Sequence, residues 1–293
     1  MITAATPALT ENYVLSEGPV WDPQTQRLTW VDIERGAVLS APLLDGAIGA
    51  VTRTDLGEYV GCALPLGDGR TLVALTRCLA IVEVDGSVTR GSDLLPEGTR
   101  FNDGKIDPQG RLVLGSLSLG EVTGDNVLLR LEADGSVTTL DEDIRLSNGL
   151  GWSPDGAWFY SIDTESNVIF RRSYGERTGE REAFIRLPER VWADGMTVDA
   201  QGRLWVAIWG GSGVRVFDAD GALVDDLGIA IDAPHSSSVA LIGPELDLAV
   251  VTSASRDLSA EERALYPHAG GLFLATPGAV GLPATRWLEV PLP

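Results

Sequence analysis

Short apolar runs, separated by turns rich in Asp, Pro and Gly, cover almost the whole chain. In "WADGMTVDAQGRLWVAIWGG", residues 192–211, the runs Met196–Val198 and Leu204–Ile208 flank a turn built on Asp199, Gly202 and Arg203. Such runs predict half-buried or fully buried β-strands, with turn residues where the chain reverses. No long amphipathic helix is legible, and "LSAEERALY" at 258–266 predicts one short helical turn. The unit then repeats. "EGPVWDPQTQRLTWVDI" from 17, "VGCALPLGDGRTLVALT" from 60, "DGKIDPQGRLVLGSL" from 103, "NGLGWSPDGAWFYSID" from 148, the stretch from 194 and "SVALIGPELDLAVVTSA" from 237 align. Their starts are 43, 43, 45, 46 and 43 residues apart. Each hairpin is followed by a further strand-like run: "AVLSAPLL", "LAIVEV", "VLLRLEA", "VIFRRSY", "VRVFDA" or "GGLFLAT". Four strands in about 45 residues, six times over without a boundary, predict an all-β, six-bladed β-propeller spanning residues 1–293 as a single domain. Both chain ends are expected to close the ring, with Tyr13–Leu15 leading into the first blade and "TRWLEV" at 285–290 completing the last.

The alignment isolates one column of residues. Just before the first inner-strand position stand Glu17, Val60, Asp103, Asn148, Asp194 and Ser237. If the first strand of each blade lines the axis, these positions ring one mouth of a central channel. A lone Asx–Gly pair at a strand entrance is ordinary turn chemistry. Carboxylates converging on an axis are different: they raise one another's pKa and are costly unless a cation neutralises them. Glu17, Asn148 and Asp194 are therefore candidate ligands of one divalent metal in the channel, with oxygen donors suited to Ca²⁺, Mg²⁺ or Mn²⁺. Asp103 is expected beside the ion, because "RFNDGK" has its own turn to satisfy.

A net charge of −20 and an isoelectric point near 4.4 narrow the partners. Such a field repels phosphates and anionic lipid, which argues against nucleic acid and membrane surfaces. The opening "MITAATPALTENYVL" has no basic n-region and no long apolar stretch, so a cytoplasmic location is expected. Cys62 and Cys78 are too few for a disulfide scaffold and are expected as buried thiols. His235 and His268 are the only histidines, which rules out a His-rich zinc site and makes any Ser-His-Asp triad depend on one of them. His235 lies two residues before the sixth mouth position, and Trp209 is a candidate apolar wall for a ligand.

"SEGPVWDPQTQRLTWVDI", "RFNDGKIDPQGRLVLGS", "LSNGLGWSPDGAWFYSID" and "ADGMTVDAQGRLWVAIWGG" resemble the SMP-30/gluconolactonase/luciferin-regenerating (regucalcin-like) family. The "WGG" at 209–211 looks like its bacterial sugar lactonase branch, and the likeness extends through "LSAEERALYPHAGGLF". The resemblance implies a six-bladed propeller holding one divalent cation, one of Ca, Zn, Mn, Mg or Fe(II), through Glu17, Asn148 and Asp194. It implies hydrolysis of a sugar lactone such as gluconolactone or a pentonolactone, with Asp194 as general base. Its substrate-contacting Arg and Asn fall on Arg100 and Asn102, while a further substrate-side Glu aligns on Gly120, next to Glu121. Two other functions fit the same trio: a non-catalytic calcium- or ligand-binding propeller, and a hydrolase of non-sugar lactones or organophosphates. Arg100 and Asn102 favour the sugar lactonase, since cation binding alone does not need them.

Overall fold

In a computed structural model, which describes residues 1–175 and 177–293, the repeated runs form six sheets around a central channel. The inner strands are Ser16–Asp22, Cys62–Pro65, Thr99–Ile106, Ser147–Trp152, Trp192–Val198 and His235–Ile242, numbered blades 1 to 6 in that order. Blade 4 is typical: Ser147–Trp152, Trp158–Asp163, Val168–Ser173 and Glu182–Arg186 pair antiparallel from the axis outward. Single aspartates lock the hairpin turns. Asp199 accepts hydrogen bonds from the backbone N–H of Gln201 and Arg203, from Arg203 Nε and from Trp205 Nε1, at 2.6–3.0 Å. Gly202 supplies the left-handed residue of that turn, with φ of +79°. Asp199 is thus a turn residue, and Asp194 is free for something else.

The core lies between blades. Trp205, Val214 and Val216 of blade 5 pack against Val239, Val251 and Phe273 of blade 6, and similar clusters fill the other interfaces. Each large apolar side chain buried this way contributes about 1.5–3 kcal/mol. Cys62 and Cys78 are buried free thiols, and Ala260–Leu265 forms the one short α-helix among the described residues. Among them, no helix is long and apolar enough to cross a membrane.

The ring closes differently from the expectation. The outer strand of blade 6 is Thr6–Pro7, paired with Leu272–Ala275, and Ile2–Ala4 runs on along the outer edge of blade 5. Pro7 is tolerated there because an edge strand needs one row of donors only. "TRWLEV" therefore finds the last blade already complete, and it forms no strand. Instead, Leu288 N donates to Gly110 O at 2.9 Å, Ser92 N donates to Pro293 O at 2.6 Å, and Arg70 pairs with Glu289 at 2.7 Å. Trp287 and Val290 are buried against Leu64, Leu112 and Leu131 of blades 2 and 3. Gly110 and Arg70 belong to turns at the far ends of the inner hairpins, so this tail straps the face opposite the mouth.

The inner strands share a device at the mouth. Pairing slips across the mouth residue in five blades: between Glu17 and Val20, Phe101 and Gly104, Ser147 and Leu150, Ala193 and Met196, and Ser236 and Ser238. These are β-bulges, which re-aim a side chain and sharpen the local twist. The next residue is Gly18, Gly61, Gly104, Gly149, Gly195 or Ser238. A Cβ on Gly149 would stand 2.7 Å from Met196 N and 2.8 Å from Asp194 O, and one on Gly195 would collide with Ser238 Oγ. Glycine there lets neighbouring inner strands close around the axis.

Candidate active site at the channel mouth

Glu17, Asn148 and Asp194 come from blades 1, 4 and 5, and each is less than a tenth exposed, at 8%, 6% and 7%. Glu17 Oε2 accepts from Gly18 N at 2.8 Å. Burial pushes the Glu17 carboxyl well above its ordinary pKa, and the charges of Asp194 and Asp103 push it further. The Gly18 N–H and Arg100 act the other way. Asp194 is raised for the same reasons, burial first and then Asp103, against Arg100 and the Gly195 N–H. Asp103 is itself raised by burial, partly offset by Lys105. Deeper in, Lys105 Nζ donates to Leu150 O and Met196 O, both at 3.1 Å, tying blade 3 to blades 4 and 5. The other two mouth positions carry no charge: Val60 is buried in the core, and Ser237 Oγ donates to Ser16 O at 2.6 Å, joining blade 6 to blade 1.

One hydrogen-bond chain fixes the polar wall. Arg100 Nη1 donates to Phe101 O and Asn102 Oδ1, both at 2.8 Å. Asn102 Nδ2 donates to Ser147 O at 2.8 Å and to Asn148 Oδ1 at 2.9 Å. Asn148 Nδ2 donates to Thr164 Oγ1 at 2.9 Å, and Thr164 Oγ1 donates to Ala193 O at 2.6 Å, beside Asp194. The chain runs from blade 3 through blade 4 to blade 5 and orients the Asn148 amide. The Arg100 guanidinium lies 5.6 Å from the centre of the Tyr59 ring. Burial, with the nearby charge of Arg256, lowers its pKa to about 10, so it is still a cation at neutral pH.

The structure thus brings together Glu17, Asn148, Asp194, Arg100 and Asn102, with Asp103 close by. Glu121 does not join them: it is exposed on the loop between Leu112–Ser118 and Asn126–Leu131, outside this chain of hydrogen bonds. Thr164 is a participant that the repeat alignment misses, because it follows a second strand and lies outside the aligned column. His235 and Trp209 stand at the same end of blades 6 and 5, their rings stacked at 4.4 Å and 13°. Two surface hollows, of about 590 Å³ beside Arg130 and Arg181 and about 410 Å³ beside Ile2 and Leu223, lie on outer strands away from this chemistry.

Two buried carboxylates and a carboxamide oxygen make a hard-oxygen donor set that could hold a divalent cation. The burial that raises both carboxyls also makes them stronger proton acceptors than exposed carboxylates. Comparison with known proteins points the same way. The profile described as SMP-30/Gluconolactonase/LRE-like region matches residues 15–255. Pentonolactonase XacC of Haloferax volcanii is 36% identical over 282 residues, covering 93% of this chain and 94% of the relative. L-arabinolactonase of Azospirillum brasilense is 35% identical over 286 residues, covering 94% and 93%. A solved structure of a calcium-binding protein, regucalcin, from Agrobacterium tumefaciens superposes with a TM-score of 0.90 at 27% identity, over 99% of both chains.

Proposed function

The chain belongs to the SMP-30/gluconolactonase/LRE-like family, and from that premise we propose that it hydrolyses a sugar lactone to the aldonic acid at the channel mouth. The observation that carries this reading is one hydrogen-bond chain from Arg100 and Asn102 through Asn148 and Thr164 to the backbone beside Asp194, whose carboxyl is buried together with that of Glu17. A cation-binding role alone accounts for the two carboxyls and leaves Arg100 and Asn102 without a use.

Opening a lactone adds water across an ester. The water gives up a proton as it attacks, negative charge develops on the carbonyl oxygen, and the ring oxygen leaves and takes a proton. Asp194 accepts the first proton and returns it to the ring oxygen. Arg100 spends its Nη1 amino group on Asn102 and Phe101 and keeps the Nε and Nη2 donors for the sugar hydroxyls. Asn102 has committed its amide nitrogen to Ser147 and Asn148, so it meets substrate as an acceptor through Oδ1. Together they orient the ring against Asp194. Glu121 is proposed only for the outer end of a substrate, since it lies on the rim. Glu17, Asn148 and Asp194 fit a divalent cation such as Ca²⁺, Mn²⁺ or Mg²⁺, which when bound supplies Lewis acidity toward the ester carbonyl.

The test is acid release from D-xylono-1,4-lactone and D-glucono-1,5-lactone, corrected for the uncatalysed rate at the same pH. The excess rate should vanish in EDTA and return with a divalent ion. Asp194→Asn keeps the shape and removes the proton acceptor, so kcat should fall by about 10²-fold or more. Full activity in EDTA-treated D194N protein would overturn the mechanism.

A further inference from the structure

We propose that Trp209, held in place by His235, forms the apolar wall of the substrate site and sets which lactone ring is preferred; this rests on the lactonase reading above. Trp209 ends the second strand of blade 5 and pairs with Trp192, two residues before Asp194. His235 opens the inner strand of blade 6, two residues before the mouth position Ser237. At a strand rise of about 3.3 Å per residue, both stand roughly 7 Å from the carboxylate tier, toward the rim. The inner strand of blade 6 packs between those of blades 5 and 1, and that of blade 3 between those of blades 2 and 4. Blade 3 is therefore opposite blade 6, and Arg100 and Asn102 face the stacked pair across the mouth.

A sugar lactone matches those two walls. Its hydroxyl edge needs charged and amide partners, and its C–H face needs a flat apolar surface. Trp209 is half-buried, with one ring face covered by His235. His235 serves through its own flat face. Its Nδ1 is buried without a hydrogen-bond partner among the described residues, so no carboxylate orients it as a catalytic triad would require. Burial lowers its pKa against the weaker opposing fields of Asp257 and Glu262, which keeps the stacked ring neutral. Trp209 is then the residue that touches substrate, and His235 is a positioning residue.

The experiment is a set of steady-state constants for D-xylono-1,4-lactone and D-glucono-1,5-lactone at pH 7, with melting temperature and calcium affinity measured alongside. In Trp209→Ala, KM should rise about 2- to 12-fold, the worth of one aromatic contact, while kcat stays within about twofold. The two lactones should be affected unequally, calcium affinity should be unchanged, and Trp209→Phe should recover most of the loss. His235→Ala should behave like Trp209→Ala, whereas His235→Phe should behave like wild type. If W209A melts early, Trp209→Leu preserves bulk and should show the same rise in KM. An unchanged KM in a folded W209A or W209L protein, or equal damage from H235A and H235F, overturns the inference and leaves the lactonase reading standing. A wild-type protein that opens neither lactone faster than buffer overturns both.

Discussion

Replacing Glu17 by Gln removes one negative charge from the channel, keeps the side chain's shape, and should make the metal-free protein more stable. The folded-state pKa of Glu17 is raised, by burial first and then by Asp194 and Asp103. A carboxyl of that kind favours folding below its unfolded pKa of about 4.3, and the benefit is lost as pH rises through the folded value. Above its unfolded pKa the carboxyl is costly to bury in the metal-free channel, because it must either hold its charge beside Asp194 or take up a proton. Desolvating an ion costs several kcal/mol, and the Gly18 N–H and Arg100 return part of it, leaving a gain of about 1–3 kcal/mol for E17Q. For a chain of this size that raises the melting temperature by about 2–6 °C. Scanning calorimetry in EDTA at pH 8 should show the rise, and the two proteins should converge toward about pH 3, more than a unit below the unfolded pKa, where the wild-type carboxyl is protonated on both sides of the transition. Calcium should reverse the order at pH 8. At 1,000 times its Kd it stabilises the wild type by about 4.1 kcal/mol, while E17Q, short of a ligand, gains little. If E17Q melts below wild type in EDTA at pH 8, or keeps the full calcium shift, the trio is not the costly, cation-seeking cluster described above.

Thr164→Val cuts the chain that orients Asn148; it should lower kcat/KM about tenfold and weaken calcium binding by calorimetry, while stability changes by about 1 kcal/mol. Asp199→Ala strands the N–H groups of Gln201, Arg203 and Trp205, so urea unfolding should lose about 3–5 kcal/mol with kcat unchanged. Deleting residues 282–293 uncovers the underside of blades 2 and 3, forfeiting about 1.5–3 kcal/mol for each of Trp287 and Val290. The melting temperature should fall while KM for a lactone holds, because the tail lies at the far end of the channel from Arg100.

Six blades were legible in the sequence because each hairpin carries its own punctuation, as Asp199 and Gly202 illustrate. The column through Glu17, Asn148 and Asp194 followed from that spacing alone, since equivalent positions in a cyclic fold share one radius. The bulges and the run of glycines behind that column were present in the same alignment, but their meaning is steric and belongs to contacts between blades. Ring closure was misjudged for a related reason. "TRWLEV" and Thr6–Pro7 both suit an edge, and local pattern cannot say which segment reaches Leu272–Ala275 first. Prolines at 283, 291 and 293 flank the loser and fit a strap better than a sheet. Thr164 escaped because a hydroxyl that serves another residue's amide has no periodicity of its own.

The N-terminal strand that completes blade 6 also governs when the protein can work. Thr6–Pro7 is synthesised well before its partner and waits for Leu272–Ala275, roughly 265 residues later, before it can pair. Glu17 follows that strand directly, and Asp194 sits one blade short of the join. Their approach thus depends on the circle being shut, and a half-made chain presents two separate carboxylates. On the proposed reading, competence would arrive in a single late step of synthesis, and calcium binding would report whether the circle has formed. A circular permutant that joins the old ends through a flexible linker long enough to cross from blade 2 to blade 5, and opens between two other blades, should keep the site, because the order of closure would change while the circle itself would not.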